Sequence, residues 1–367
     1  MTGRGLVVAG LTIVAGGLAA AALFVWSGIY NVSASRQHLD VTTWILDTLR
    51  RHSVRTHSLG IAAPPLDAPG LVRLGAVHYD LACAACHGAP GRPASALADA
   101  MLPTPPPLGP AVREWSPEEL SWIVLNGQKY TGMPAWVAPR RGDEVWAVVA
   151  FLRRLPQIDA AEYRRLAGLP TQSSTVRAPG IGVATDAEPM AMCRRCHGPS
   201  GARTVGPLVP PLAGQPVRYL ARALSEYADG TRPSGIMQFA ARGLDAAAVG
   251  RLARAFAAKA SSTPSHEPDP TDPGSRIAHE GIPERGIPPC LTCHSGEADP
   301  RFPRLAGFSA TYLERQLRLW RDDVRGRSGY AAIMRPIARR LDPGEAASVA
   351  AYLARLAPAG AEGGGAP

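Results

Sequence analysis

Cys83-Ala-Ala-Cys86-His87, Cys193-Arg-Arg-Cys196-His197 and Cys290-Leu-Thr-Cys293-His294 account for all six cysteines of this 367-residue chain. Each pair is separated by two residues, and each second cysteine is followed at once by histidine. Disulfides and thioredoxin-like redox pairs would use the thiols but have no need of the trailing histidine, least of all three times. Zinc would need four ligands per site, with the pairs brought together in even numbers, and three pairs fit that poorly. Covalent attachment of c-type haem uses both cysteines and the histidine of every motif.

The spacing has a chemical reason. Two thiols one helical turn apart can add to the two vinyl groups on one edge of a porphyrin. The adjacent imidazole then reaches the iron from one face, which makes His87, His197 and His294 the expected proximal ligands. The distal side is read from repetition. Met133 follows His87 by 46 residues, and Met237 and Met334 each follow their histidine by 40. A lone methionine is more often core than ligand; three at matching positions reverse that reading. Met190 and Met192 lie too near Cys193 to cross the ring, and Met101, 14 residues past His87, reads as loop packing. His/Met ligation fills the iron, so the expected chemistry is outer-sphere electron transfer. The alternative, an enzyme such as a di-haem peroxidase, needs an open or displaceable distal position.

Beyond each methionine comes an Ala-aromatic pair: Ala150-Phe151, Ala255-Phe256 and Ala351-Tyr352. Each sits in an apolar helical pattern with acid at its start and arginine near its end, the order that complements a helix dipole. The aromatics are read as sealing a helix interface. The second and third copies share Pro-x-Leu-Ala-Gly and Tyr-Leu segments, at Pro211–Leu220 and Pro303–Leu313. The first has instead a proline-rich loop from Pro103 to Pro110 and Gly132-Met133-Pro-Ala-Trp136. His78 and His279 precede motifs on the proximal side, and Trp44, Trp122 and Trp146 read as anchors or core.

Gly5 to Ser35 carries no charge and is long enough to cross a bilayer; a cleaved signal peptide is the alternative. Arg36, Arg50, Arg51 and Arg55 follow this stretch and only Arg4 precedes it, which by loop charge alone would leave the bulk of the chain in the cytoplasm. Haem attachment argues for the opposite side and outweighs that bias. Val41, Trp44, Ile45 and Leu49 fall at helical spacing, either as an amphipathic helix on an anionic lipid surface or as a helix packed on the first copy. The net charge of +9 is almost all arginine. Two propionates on each of three haems would reduce it to about +3. No basic run is interleaved with aromatics, so no nucleic-acid site is read.

Over residues 68–356 the chain resembles the class I cytochrome c family. The second and third copies are similar to two-domain, di-haem bacterial cytochromes c that feed terminal oxidases; the first looks like membrane-anchored single-haem cytochromes of respiratory complexes. The resemblance implies an all-α fold, with an N-terminal transmembrane helix followed by three class I domains. Expected boundaries are an anchor at 5–30, a juxtamembrane segment at 31–67, and domains at 68–160, 189–259 and 275–357. Linkers are expected at 161–188 and 260–274, and a disordered tail at 358–367. The implied function is membrane-tethered electron transfer on the periplasmic face of a bacterial inner membrane. Electrons would pass from a quinol-oxidising complex or dehydrogenase to a terminal oxidase; the alternative is a subunit of an alcohol, aldehyde or sugar dehydrogenase.

Overall fold

The computed structural model describes residues 3–170, 189–258, 269–295, 298–326 and 329–356. Among these the fold is helical, and the β-structure consists of two isolated bridges. The 25-residue helix α1 (Gly3–Ser27) is apolar, long enough to cross a membrane, and buries no residue against the rest of the chain. Helix α2 (Asp40–Ser58) follows. Its second half docks on the first copy: Val54 is 1% exposed, and Arg51 pairs with Glu114 at 3.1 Å. Its first half leaves Val41, Trp44, Ile45 and Leu49 exposed. The packed-helix reading of this segment thus holds for its second half.

The first copy comprises α3 (Leu71–Ala82), the single turns α4 (Ala84–His87), α5 (Ala96–Asp99) and α6 (Leu108–Ala111), then α7 (Pro117–Asn126), α8 (Gly142–Arg154) and α9 (Ala160–Ala167). Helix α3 crosses α8 at Gly75, where a Cβ would lie 1.9 Å from the Ala147 carbonyl oxygen. Phe151, fully buried, packs at a tilt against Tyr79, ring centres 5.0 Å apart, beside that crossing. Helix α9 corrects the expectation of a linker from residue 161. Asp159 caps it, and Tyr163 is buried and donates to Asp80 at 2.8 Å, so this segment folds back onto α3. Residues 171–188 of that linker, residues 260–268 of the second, and the tail at 358–367 lie outside the described residues.

The second copy has α10 (Pro189–His197), α11 (Val217–Ala228), α12 (Gly235–Ala241) and α13 (Ala246–Ala257). Pro189 does not break α10; it is the first helical residue, where its missing N–H costs nothing. The third has α14 (Pro273–His279), α15 (Leu291–His294), α16 (Ala310–Arg321), α17 (Ala331–Arg340) and α18 (Pro343–Arg355). Helix α14 crosses α18 at Gly274, close against the Ser348 carbonyl and Tyr352, as α3 crosses α8.

The copies are not spaced along a string. Leu71, Leu74, Ala147 and Ala150 of the first share an apolar cluster with Val205 and Val209 of the second. Gln215 of the second and Arg304 of the third exchange hydrogen bonds at 2.8 and 3.0 Å. Arg140 of the first donates to the Asp322 and Asp323 carbonyls of the third, and Asp143 pairs with Arg315. Each copy touches both others.

Candidate haem sites

Each Cys-x-x-Cys-His motif ends in a helical turn, at His87, His197 and His294. All six cysteines are free thiols, so no motif is closed by a disulfide. Burial pushes the Cys83 thiol up to about 12 and those of Cys193, Cys196 and Cys290 to about 11. No cluster of three or more metal-ligating side chains occurs among the described residues.

The imidazoles share one arrangement. His87 Nδ1 lies 2.9 Å from the Pro106 carbonyl oxygen, His197 Nδ1 2.9 Å from that of Pro210, and His294 Nδ1 2.8 Å from that of Pro303. A carbonyl oxygen only accepts, so Nδ1 carries the proton in all three and Nε2 keeps its lone pair. Burial lowers each histidine below its ordinary value, against the opposing pull of the proline carbonyl. Each ring is thus a neutral, oriented nitrogen donor, as an axial iron ligand must be. The three prolines have no mark in the sequence. They stand 19, 13 and 9 residues beyond their histidines, so no fixed register finds them.

The methionines reach their positions differently. Met133 is in a loop pinned by its own carbonyl, which accepts from Gln128 N–H, and by its N–H, which donates to Thr131 Oγ1. Met237 and Met334 lie on the short helices α12 and α17. Ser234 caps α12 by accepting from Met237 N–H at 3.1 Å. Met101 packs its sulfur beside Gly132, and Met190 sits in a cluster with Leu220, Ala253 and Phe256. His78 is buried, lies tilted against Trp136 with ring centres 4.8 Å apart, and is driven down to about 4 by desolvation. His279 bonds the Tyr352 hydroxyl at 2.8 Å.

The donor set fits haem, and so do unmet polar groups nearby. Trp136 Nε1, in the distal loop of the first copy, and Gln128 Nε2 are buried donors with no acceptor among the described residues. At the junction of the second and third copies, Arg232 and Arg325 are 3% and 9% exposed. Their neighbours are Tyr227, Tyr312, Trp320 and Gln316, none of them a carboxylate. Burial lowers Arg325 to about 10, aided by the like charge of Arg232. Buried guanidinium groups without a carboxylate call for an anion, and haem propionates have that chemistry.

Comparison with known proteins agrees. A family model described as cytochrome c oxidase, cbb3-type, subunit III matches residues 70–152. The thiosulfate dehydrogenase electron acceptor of Thiomonas intermedia is 36% identical over 173 residues, 45% of this chain and 78% of that protein. Cytochrome c4 of Pseudomonas aeruginosa is 32% identical, over 45% of this chain and 84% of its own. Cytochrome c4 of Thiocapsa roseopersicina is 31% identical, over 51% and 99%. With three motifs of neutral, oriented imidazoles and these relatives, the chain belongs to the class I c-type cytochromes, resembles the di-haem cytochromes c4, and is an electron carrier or electron-transfer subunit rather than an enzyme.

Proposed function

We propose that the protein is a tri-haem relay tethered to the outer face of a bacterial cytoplasmic membrane. Haem would be held at Cys83/Cys86/His87/Met133, Cys193/Cys196/His197/Met237 and Cys290/Cys293/His294/Met334, one in each of the three domains delimited by the sequence. Bound there, it supplies a one-electron iron couple. The chain's own part is to keep each imidazole neutral and oriented, to hold a sulfur on the far side, and to exclude water from the iron. The thioether is a weak donor that favours the reduced iron and raises its potential. The observation that carries this reading is the threefold repetition of Nδ1–H bound to a proline carbonyl beside two free thiols.

Tethering is supported by α1, whose 25 residues give about 37 Å of apolar helix. It is further supported by the exposed Val41, Trp44 and Ile45 on the half of α2 nearest to it, suited to the lipid surface. The donor would be a quinol-oxidising complex or a dehydrogenase, and the acceptor a terminal oxidase. A relative named as the electron acceptor of a dehydrogenase favours a dehydrogenase donor, and with it the reading as a dehydrogenase subunit.

Intact-mass measurement of the full-length protein from membranes tests the haem count. Three covalent haem increments are expected, with one lost when Cys86, Cys196 or Cys293 is replaced by alanine. Two increments in the parent, or a replacement that costs none, would contradict the reading.

A further inference from the structure

The helix bearing Met237 is held by the first copy. Ser234 Oγ, which caps α12, donates to Glu144 Oε1 at 2.7 Å, and Gly235 N–H donates to Glu144 Oε2 at 2.6 Å. Glu144 lies on the first turn of α8. Its carboxylate also pairs with Arg141 at 2.6 Å, and Arg141 donates to the Pro233 carbonyl at 2.7 Å. Arg141, Glu144 and Ser234 are 5%, 6% and 3% exposed. From its own copy, α12 contributes Gln238 Oε1, which accepts from Ser234 N–H at 3.0 Å.

Two further contacts join the same two sites. Trp136, three residues past Met133, lies so close to Gly235 that a Cβ there would fall 2.0 Å from Nε1. On the attachment side, Arg195, between the cysteines of the second motif, donates to Asp80 at 2.8 Å, three residues before Cys83. The second site is thus gripped by the first copy at both its attachment turn and its methionine helix.

We propose that Glu144 is a positioning residue for the second haem, fixing through Ser234 and Gly235 the presentation of Met237 to the iron. The proposal rests on the reading of Met237 as the distal ligand. Glu144→Gln keeps the shape but converts one of two acceptor oxygens into a donor, facing either a hydroxyl or an N–H whose proton is already committed to it. The start of α12 must then shift, and the weak iron–sulfur bond is the first to loosen. A thioether that prefers reduced iron lowers the potential when it loosens. A tenfold loss of that preference corresponds to about 59 mV for one electron.

The test uses the full-length, haem-loaded protein, with carbon monoxide added after reduction and a midpoint measured for each haem. Met237→Ala should open one iron to carbon monoxide. Glu144→Gln should open a fraction of that same iron and lower its midpoint, leaving the other two as in the parent. Ser234→Ala should act in the same direction, and carries the same two outcomes if Glu144→Gln does not accumulate. If Met237→Ala opens an iron while both other variants leave carbon monoxide binding and all midpoints unchanged, Glu144 has no positioning role. If Met237→Ala opens none, the ligand reading fails and the proposal falls with it.

Discussion

A histidine that gives its Nδ1 proton to a carbonyl has one nitrogen left, and its orientation is no longer free. That is the condition of His87, His197 and His294, and burial keeps each of them uncharged at neutral pH. The pairing of cysteines with histidine is written in adjacent residues and could be read directly. The carbonyl that orients each histidine could not, because Pro106, Pro210 and Pro303 lie at three different separations and are brought in by tertiary folding. The methionines fall between: two matched intervals of 40 residues pointed to them, but not to the helices that carry Met237 and Met334. We expect Met334→Ala to leave three haems attached and to open one iron to carbon monoxide. An unchanged spectrum of the reduced protein with carbon monoxide would remove Met334 from the ligands.

Among the elements, two crossings organise the first and third copies, and each depends on a glycine inside a helix. Helix propensity alone favours Gly75→Ala by about 1 kcal/mol. The added Cβ, however, would meet the backbone of α8 at 1.9 Å, and a backbone carbonyl cannot swing aside as a side chain can. Overpacking of this kind costs about 1–3 kcal/mol, so the loss should win. We expect Gly75→Ala to be net destabilised in denaturant unfolding followed by Trp fluorescence; a variant as stable as the parent would show that the helices part without strain. The helical patterns were legible because apolar residues recur at helical spacing, and the aromatic seals Phe151, Phe256 and Tyr352, all buried in the fold, because one recurs beyond each methionine. Helix α9 was not: its eight residues carry only Tyr163 and Ala167 into the core, too few for a period to show. The acids opening α8 read as complements to the helix dipole, and nothing local marks Glu144 as a ligand for the backbone of another copy.

On the scale of the whole molecule, the linkers suggested separate modules, and the contacts between copies say otherwise. Asp143 is one of the joints. Burial raises its pKa, but Arg141 and then Arg315 outweigh burial and hold the carboxylate below its ordinary value. A lowered pKa in the folded state stabilises fully above the unfolded value near 4, and the contribution fades as pH falls through the folded one. Asp143→Asn should therefore cost about 1–3 kcal/mol at pH 7, with the deficit shrinking as pH falls below about 4. Thermal midpoints of parent and variant across that range check it; a deficit that stays constant would mean the charge is not what joins the copies. The central claim is that three closed haems share one compact relay. An optical redox titration of the detergent-solubilised full-length protein, with carbon monoxide added to the reduced form, tests it most directly. The account predicts three low-spin, high-potential haems that ignore carbon monoxide. A haem that binds carbon monoxide, or titrates far below the other two, would contradict it.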